Sequence, residues 1–179
     1  MAAPLILALG GTRSGKSRFG LARTKELAGD GRAWFLATAM AGDPELDDRI
    51  RRHRAERPAD WPTVDVGIDL AGTVATTEAD EPILIDGLTL WLAMLLGDET
   101  PDIDPILEGP IAAAYEAIAA RPGPAVVVSD EVGLGIVPMH ANARAYRDLV
   151  GIAHQRLAAI ADEAYLFVAG LPVTLKGRR

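Results

Sequence analysis

Short apolar runs alternate along this chain with longer stretches that mix apolar and polar positions at helical spacing. The runs at 5–9, 33–37, 83–86, 125–129 and 164–168 read as strands, and 172–175 reads as a terminal edge strand. Several are apolar throughout rather than alternating, which is how strands look when helices cover both faces of a parallel sheet. Helices are expected at 15–28, 43–57, 88–96, 105–120 and 141–162. No low-complexity linker or internal repeat divides the chain, so residues 1–179 are expected to form one three-layer α/β nucleotide-binding domain.

In an open α/β sheet, ligands bind beyond the carboxyl ends of the strands, and the residues that stand there carry chemistry. The first strand runs into Gly10-Gly11-Thr12-Arg13-Ser14-Gly15-Lys16-Ser17, a complete phosphate-binding loop that opens a helix. Backbone N–H groups converge there, the helix dipole adds positive potential, and polyphosphate is the natural ligand. Lys16 would lie against the β- and γ-phosphates, and the Ser17 hydroxyl would hold Mg²⁺. The third strand ends in Asp86, in the manner of a Walker B carboxylate that helps hold the metal. Asp86 also stands where it could cap the helix expected from Leu88. The fourth strand delivers Ser129-Asp130-Glu131 to the same edge. Glu131 reads equally as a contact to metal or to a substrate hydroxyl and as a solvated loop acid.

Composition narrows the classes. With 49% apolar residues the chain can bury a sizeable core unaided. It has no cysteine, which excludes disulfides, thiolate metal sites and a thiol nucleophile, and its three histidines (His53, His140, His154) are too scattered to suggest zinc by spacing. A net charge of -7 argues against an extended nucleic-acid grip. The longest apolar stretch, 83–97, is too short for a membrane span and contains Asp86, and the first run is consumed by the phosphate loop instead of a cleavage site. A cytoplasmic protein is the expectation.

The basic residues are concentrated in one segment. Asp43 and Pro44 form a good helix start, acids fill the first turn, and Pro58 ends the helix. Arg49, Arg51, Arg52, Arg54 and Arg57 surround His53, and Arg49 and Arg57 share its face. The same pattern also suits a solvated cationic face laced by Glu45, Asp48 and Glu56.

Several blocks occur together: the phosphate loop, Ala37-Thr38, the run from Arg49 through His53 to Pro58 and Trp61, Asp86-x-Leu88-Thr89-Leu90-Trp91, and Glu131-Val132-Gly133-x-Gly135-Ile136-Val137-Pro138. With Arg147-Asp148-Leu149 and Val168-Ala169-Gly170-Leu171-Pro172 they make almost the whole chain resemble adenosylcobinamide kinase/adenosylcobinamide-phosphate guanylyltransferase, the bifunctional enzyme of cobalamin nucleotide-loop assembly. The resemblance implies a RecA-like P-loop NTPase fold and two reactions. The terminal phosphoryl of ATP or GTP passes to the aminopropanol hydroxyl of adenosylcobinamide. GMP from GTP then passes to the new phosphate through a guanylylated histidine, whose matching position is His53.

By the same resemblance Gly10 to Ser17, Ala37, Thr38, Ala39, Arg54, Ala55, Glu56, Arg57, Asp65 and Asp86 contribute to nucleotide binding, Mg²⁺ accompanies it, and the chain forms a homo-trimer. A neutral imidazole is nucleophilic near pH 7, and surrounding arginines favour that form while stabilising charge on phosphoryl oxygens. His140, His154 and Asp130 depart from the family pattern, which carries an acid-Asn pair around the first and Asn at the other two. Within the apolar segment at 88–96, Trp91 and Met94 read as core in preference to subunit interface. Two rivals remain, a monofunctional small-metabolite kinase and a GTP-dependent switch, although the chain has no Asn-Lys-x-Asp guanine motif.

Overall fold

A computed structural model of the chain describes residues 3–38, 57–98 and 102–177. Among the described residues seven strands make one sheet: β1 (Leu5–Gly10), β2 (Trp34–Ala37), β3 (Thr63–Asp65), β4 (Ile83–Asp86), β5 (Ala125–Asp130), β6 (Glu163–Val168) and β7 (Leu171–Lys176). Their order is β3-β2-β4-β5-β1-β6-β7. Pairing is parallel throughout except for β7, which returns antiparallel along β6.

Period-two geometry splits each apolar strand between two cores. Leu5, Leu7 and Leu9 join Ile83, Ile85 and Val127 on one face. That face is covered by α2 (Leu70–Ala75), α3 (Leu88–Leu96), α4 (Ala112–Ala120) and α5 (Ala141–Ile160). Ile6, Ala8, Leu84, Val126 and Val128 point the other way, against Phe19 and Leu27 of α1 (Lys16–Ala28). Three layers follow, with the central strands buried on both sides as their unbroken apolar runs require. Trp91 is fully buried and donates its indole N–H to the Ile68 carbonyl at 3.0 Å, and Met94 packs on the same core, so α3 faces inward.

Several elements differ from expectation. β3 and α2 were not anticipated, since three residues make β3 and Gly72 interrupts α2. Helix 105–120 arrives in pieces: a turn at Asp104–Ile106, a π-helical segment at Leu107–Ile111 and then α4. Pro110 lies in the π segment, where it has no N–H for the ordinary ladder. α5 stops at Ile160 instead of 162 because Asp162 is tied to β1, its N–H to the Leu5 carbonyl and its Oδ2 to the Leu5 N–H, both at 2.8 Å. The helix expected at 43–57 lies outside the described residues apart from Arg57.

Candidate active site

The carboxyl ends of β1, β4 and β5 lie side by side, and register brings Gly10 opposite Asp130 and Ala37 opposite Asp86. Between β1 and α1 the phosphate loop wraps the first turn of the helix. Gly15 caps α1 in the left-handed region (φ 98°), which a side chain rarely tolerates, and no side chain occupies the cap. The early N–H groups of α1 therefore remain for an anion, where the helix dipole favours one. A Cβ on Gly10 would meet Ser14 Oγ at 2.5 Å and the Phe167 carbonyl at 2.8 Å, so the loop closes this tightly only with glycine there. The loop is further tied by the Gly170 N–H, which donates to the Ser14 carbonyl at 2.9 Å.

Lys16 is only 4% exposed. Its ammonium donates to the Gly11 carbonyl at 3.1 Å and forms an ion pair with Asp130 Oδ1 at 2.5 Å. The other Asp130 oxygen accepts from Thr89 Oγ1 at 3.3 Å, and the Thr89 carbonyl accepts from the Tyr146 hydroxyl at 3.0 Å. Ser17 Oγ donates to Asp86 Oδ1 at 3.1 Å. A hydroxyl and a carboxylate this close, beside a phosphate cradle, are the hard oxygen donors that suit Mg²⁺ with its remaining positions filled by water and phosphate. Asp86 does not cap α3: the N-cap is Gly87, again left-handed at φ 93° and without a side-chain cap bond, so of the two roles open to Asp86 the metal-side one fits the geometry.

Thr38 holds the turn after β4 in place. Its buried hydroxyl is shared between the carbonyls of Asp86 (2.9 Å) and Gly87 (2.7 Å), while the Gly87 N–H reaches the Val128 carbonyl at 3.0 Å. Ala37 is flanked in register by Asp65 on β3 and Asp86 on β4, so three residues expected at the nucleotide share one stretch of sheet edge. Arg57 lays its guanidinium 3.1 Å from the centre of the Phe35 ring and donates to Thr63 Oγ1 at 3.4 Å. Ala39, His53, Arg54, Ala55 and Glu56 lie outside the described residues.

Behind Asp130, the buried pair Ser129 Oγ and His154 Nε2 are 2.7 Å apart, and His154 Nδ1 stands 3.8 Å from Glu131 Oε2. Burial pushes the imidazole below its ordinary value, against the opposing pull of Glu131 and Asp130, so it is neutral at pH 7. Glu131 Oε1 accepts from the Gly133 N–H at 2.5 Å, which bends the chain into the loop that follows β5. Sequence reasoning missed the partners of Lys16 and His154. Both lie at large separations along the chain, and the only hint was the polar cluster 129–131 ending an apolar strand.

Residues 6–175 match the model of a family described as cobinamide kinase / cobinamide phosphate guanyltransferase. The bifunctional adenosylcobalamin biosynthesis protein CobP of Pseudomonas aeruginosa is 43% identical over 174 residues, 96% of each chain. The corresponding CobU proteins of Salmonella typhimurium and Escherichia coli are 36% and 37% identical, each covering 96% of this chain and 99% of the relative.

Proposed function

The chain belongs to the cobinamide kinase / cobinamide phosphate guanyltransferase family, and on that premise we propose the residues and steps by which one domain carries both activities. In the kinase step, the aminopropanol hydroxyl oxygen of adenosylcobinamide attacks the γ-phosphorus of ATP or GTP, the bond to the β,γ-bridging oxygen breaks, and the nucleoside diphosphate leaves. The hydroxyl proton is released to solvent. In the guanylyl step, a neutral His53 ring nitrogen attacks the α-phosphorus of GTP and pyrophosphate leaves. A phosphate oxygen of cobinamide phosphate then attacks the same phosphorus, the P–N bond breaks, and free His53 is restored with adenosylcobinamide-GDP.

Gly10 to Ser17 cradle the phosphates, and Lys16 exchanges Asp130 for the β- and γ-phosphate oxygens. Ser17 and Asp86 would hold Mg²⁺, which when bound neutralises charge on the phosphates. Ala37, Thr38, Ala39, Arg54, Ala55, Glu56, Arg57 and Asp65 complete the GTP site, and the arginines around His53 oppose the charge that builds on phosphoryl oxygens. The reading includes a cytoplasmic homo-trimer, and the small-molecule partners are adenosylcobinamide, ATP and GTP.

The observation that carries the reading is the double pairing at the sheet edge, Lys16 with Asp130 and Ser17 with Asp86, in a chain of this family. Its test is the intact mass of purified protein after incubation with GTP and Mg²⁺, beside His53→Ala. An acid-labile gain of one GMP, absent from the variant, is expected. Folded wild-type protein that gains no mass would overturn the guanylyl-histidine mechanism.

A further inference from the structure

The loop between β5 and α5 is exposed and yet held in a fixed shape. Residues 132–139 contain no charged side chain. Leu134, Ile136, Val137 and Met139 stand 84%, 96%, 68% and 94% exposed. Their backbone is fixed from α5: Arg147 donates to the carbonyls of Gly133 (2.6 Å) and Ile136 (2.8 Å), and Arg144 to those of Pro138 (3.0 Å) and Met139 (2.7 Å). Glu131 closes the near end through the Gly133 N–H. A loop that has four of its carbonyls held by two arginines while leaving four large apolar side chains in water is preorganised for an apolar surface to cover it.

Position identifies that surface. The loop leaves β5 where the Glu131 N–H donates to the Gly10 carbonyl at 3.0 Å, so it begins beside the phosphate cradle. The acceptor must bring its hydroxyl to that place. Cobinamide carries this hydroxyl on an arm of a wide, methyl-studded corrin ring fringed by neutral amides, a ligand whose faces ask for apolar contacts and not for charge.

We propose that the 132–139 loop is the corrinoid platform of the site, with Leu134, Ile136, Val137 and Met139 packed on the corrin of adenosylcobinamide. The assignment rests on the function proposed above and deepens its acceptor side. Arg144 and Arg147 act as positioning residues that keep the four side chains spread.

The experiment compares wild type with Ile136→Ser/Met139→Ser, and with Ile136→Leu/Met139→Leu as the conservative control. Each protein is assayed for GMP adduct from GTP alone, for phosphoryl transfer from ATP to adenosylcobinamide, and for mass by light scattering. For the serine variant the KM for adenosylcobinamide is expected to rise roughly 10- to 100-fold. Adduct formation, KM for ATP and assembly mass stay as in wild type, and the leucine variant behaves as wild type. An unchanged cobinamide KM with normal adduct formation overturns the platform and leaves the function intact. A changed assembly mass, with or without a changed KM, makes the face a subunit contact and also overturns it. No adduct on the wild-type protein overturns the underlying function, a result separable from both.

Discussion

The two ends of one sheet edge are prepared for ligands in opposite ways. At the phosphate end, Lys16 already holds Asp130 and Ser17 already holds Asp86, so a nucleotide must exchange partners with protein groups. In the 132–139 loop four backbone carbonyls are held by Arg144 and Arg147 while four large apolar side chains stand exposed, so a ligand covering those side chains displaces water and no ion pair. The first arrangement keeps a buried ammonium paired at all times, which a low-dielectric site demands. The second fixes geometry and leaves the apolar gain for binding itself. The difference makes nucleotide affinity sensitive to charge and acceptor affinity sensitive to shape.

The strongest way to break the contrast is Lys16→Ala. It removes the cation from the phosphates and leaves Asp130 without its ion-pair partner, and kcat/KM for ATP should fall roughly 10²- to 10³-fold. Equilibrium binding of adenosylcobinamide should be unchanged, because its platform takes nothing from Lys16. Loss of both in a folded variant would mean that the two ends are one unit.

Asp130→Asn sharpens the contrast. Asn keeps an acceptor for Lys16 but gives up the charge that competes with phosphate, so a non-hydrolysable GTP analogue should bind about tenfold tighter by calorimetry. The ligand-free protein should lose about 1–3 kcal/mol in urea unfolding, less than for a fully buried pair because Asp130 is partly exposed and Asn can still accept a hydrogen bond. Weaker nucleotide binding would show that Asp130 serves the bound state.

Much of this edge could be read from the chain alone, for physical reasons. Strands such as Val126-Val127-Val128 are apolar on both faces because both faces are buried, and the loop from Gly10 to Ser17 is local chemistry with fixed spacing. β3 escaped because only Val64 of its three residues turns partly inward, leaving no run to see. α2 escaped because Gly72 weakens its propensity, although Asp69 does cap it, accepting from the Gly72 N–H at 2.8 Å. The Lys16–Asp130 pair and the arginine-held loop depend on which strands become neighbours. No local pattern encodes that.

The smallest expected effect concerns His154, which lies behind both ends, on Ser129 and facing Glu131. Burial holds its folded-state value below the 6.5 of the free side chain. The unfolded chain therefore takes up this proton as pH falls through 6.5, while the folded protein resists until lower pH. Protonation in that window favours unfolding, so this residue's contribution is fully present above 6.5 and is lost downward toward the folded value. His154→Asn removes the titration and keeps a polar partner for Ser129. Its stability should decline less steeply than wild type as pH falls below 6.5, by no more than the one-proton slope of about 1.4 kcal/mol per pH unit. At pH 7.5, where His154 is already neutral, kcat/KM for ATP and for adenosylcobinamide should both stay within about twofold of wild type. Parallel unfolding curves for the two proteins across that window would show that the imidazole is not titrating there. A rise confined to the cobinamide KM would show that the Glu131 end of the loop depends on His154 for its shape, joining the two regions that the other variants separate.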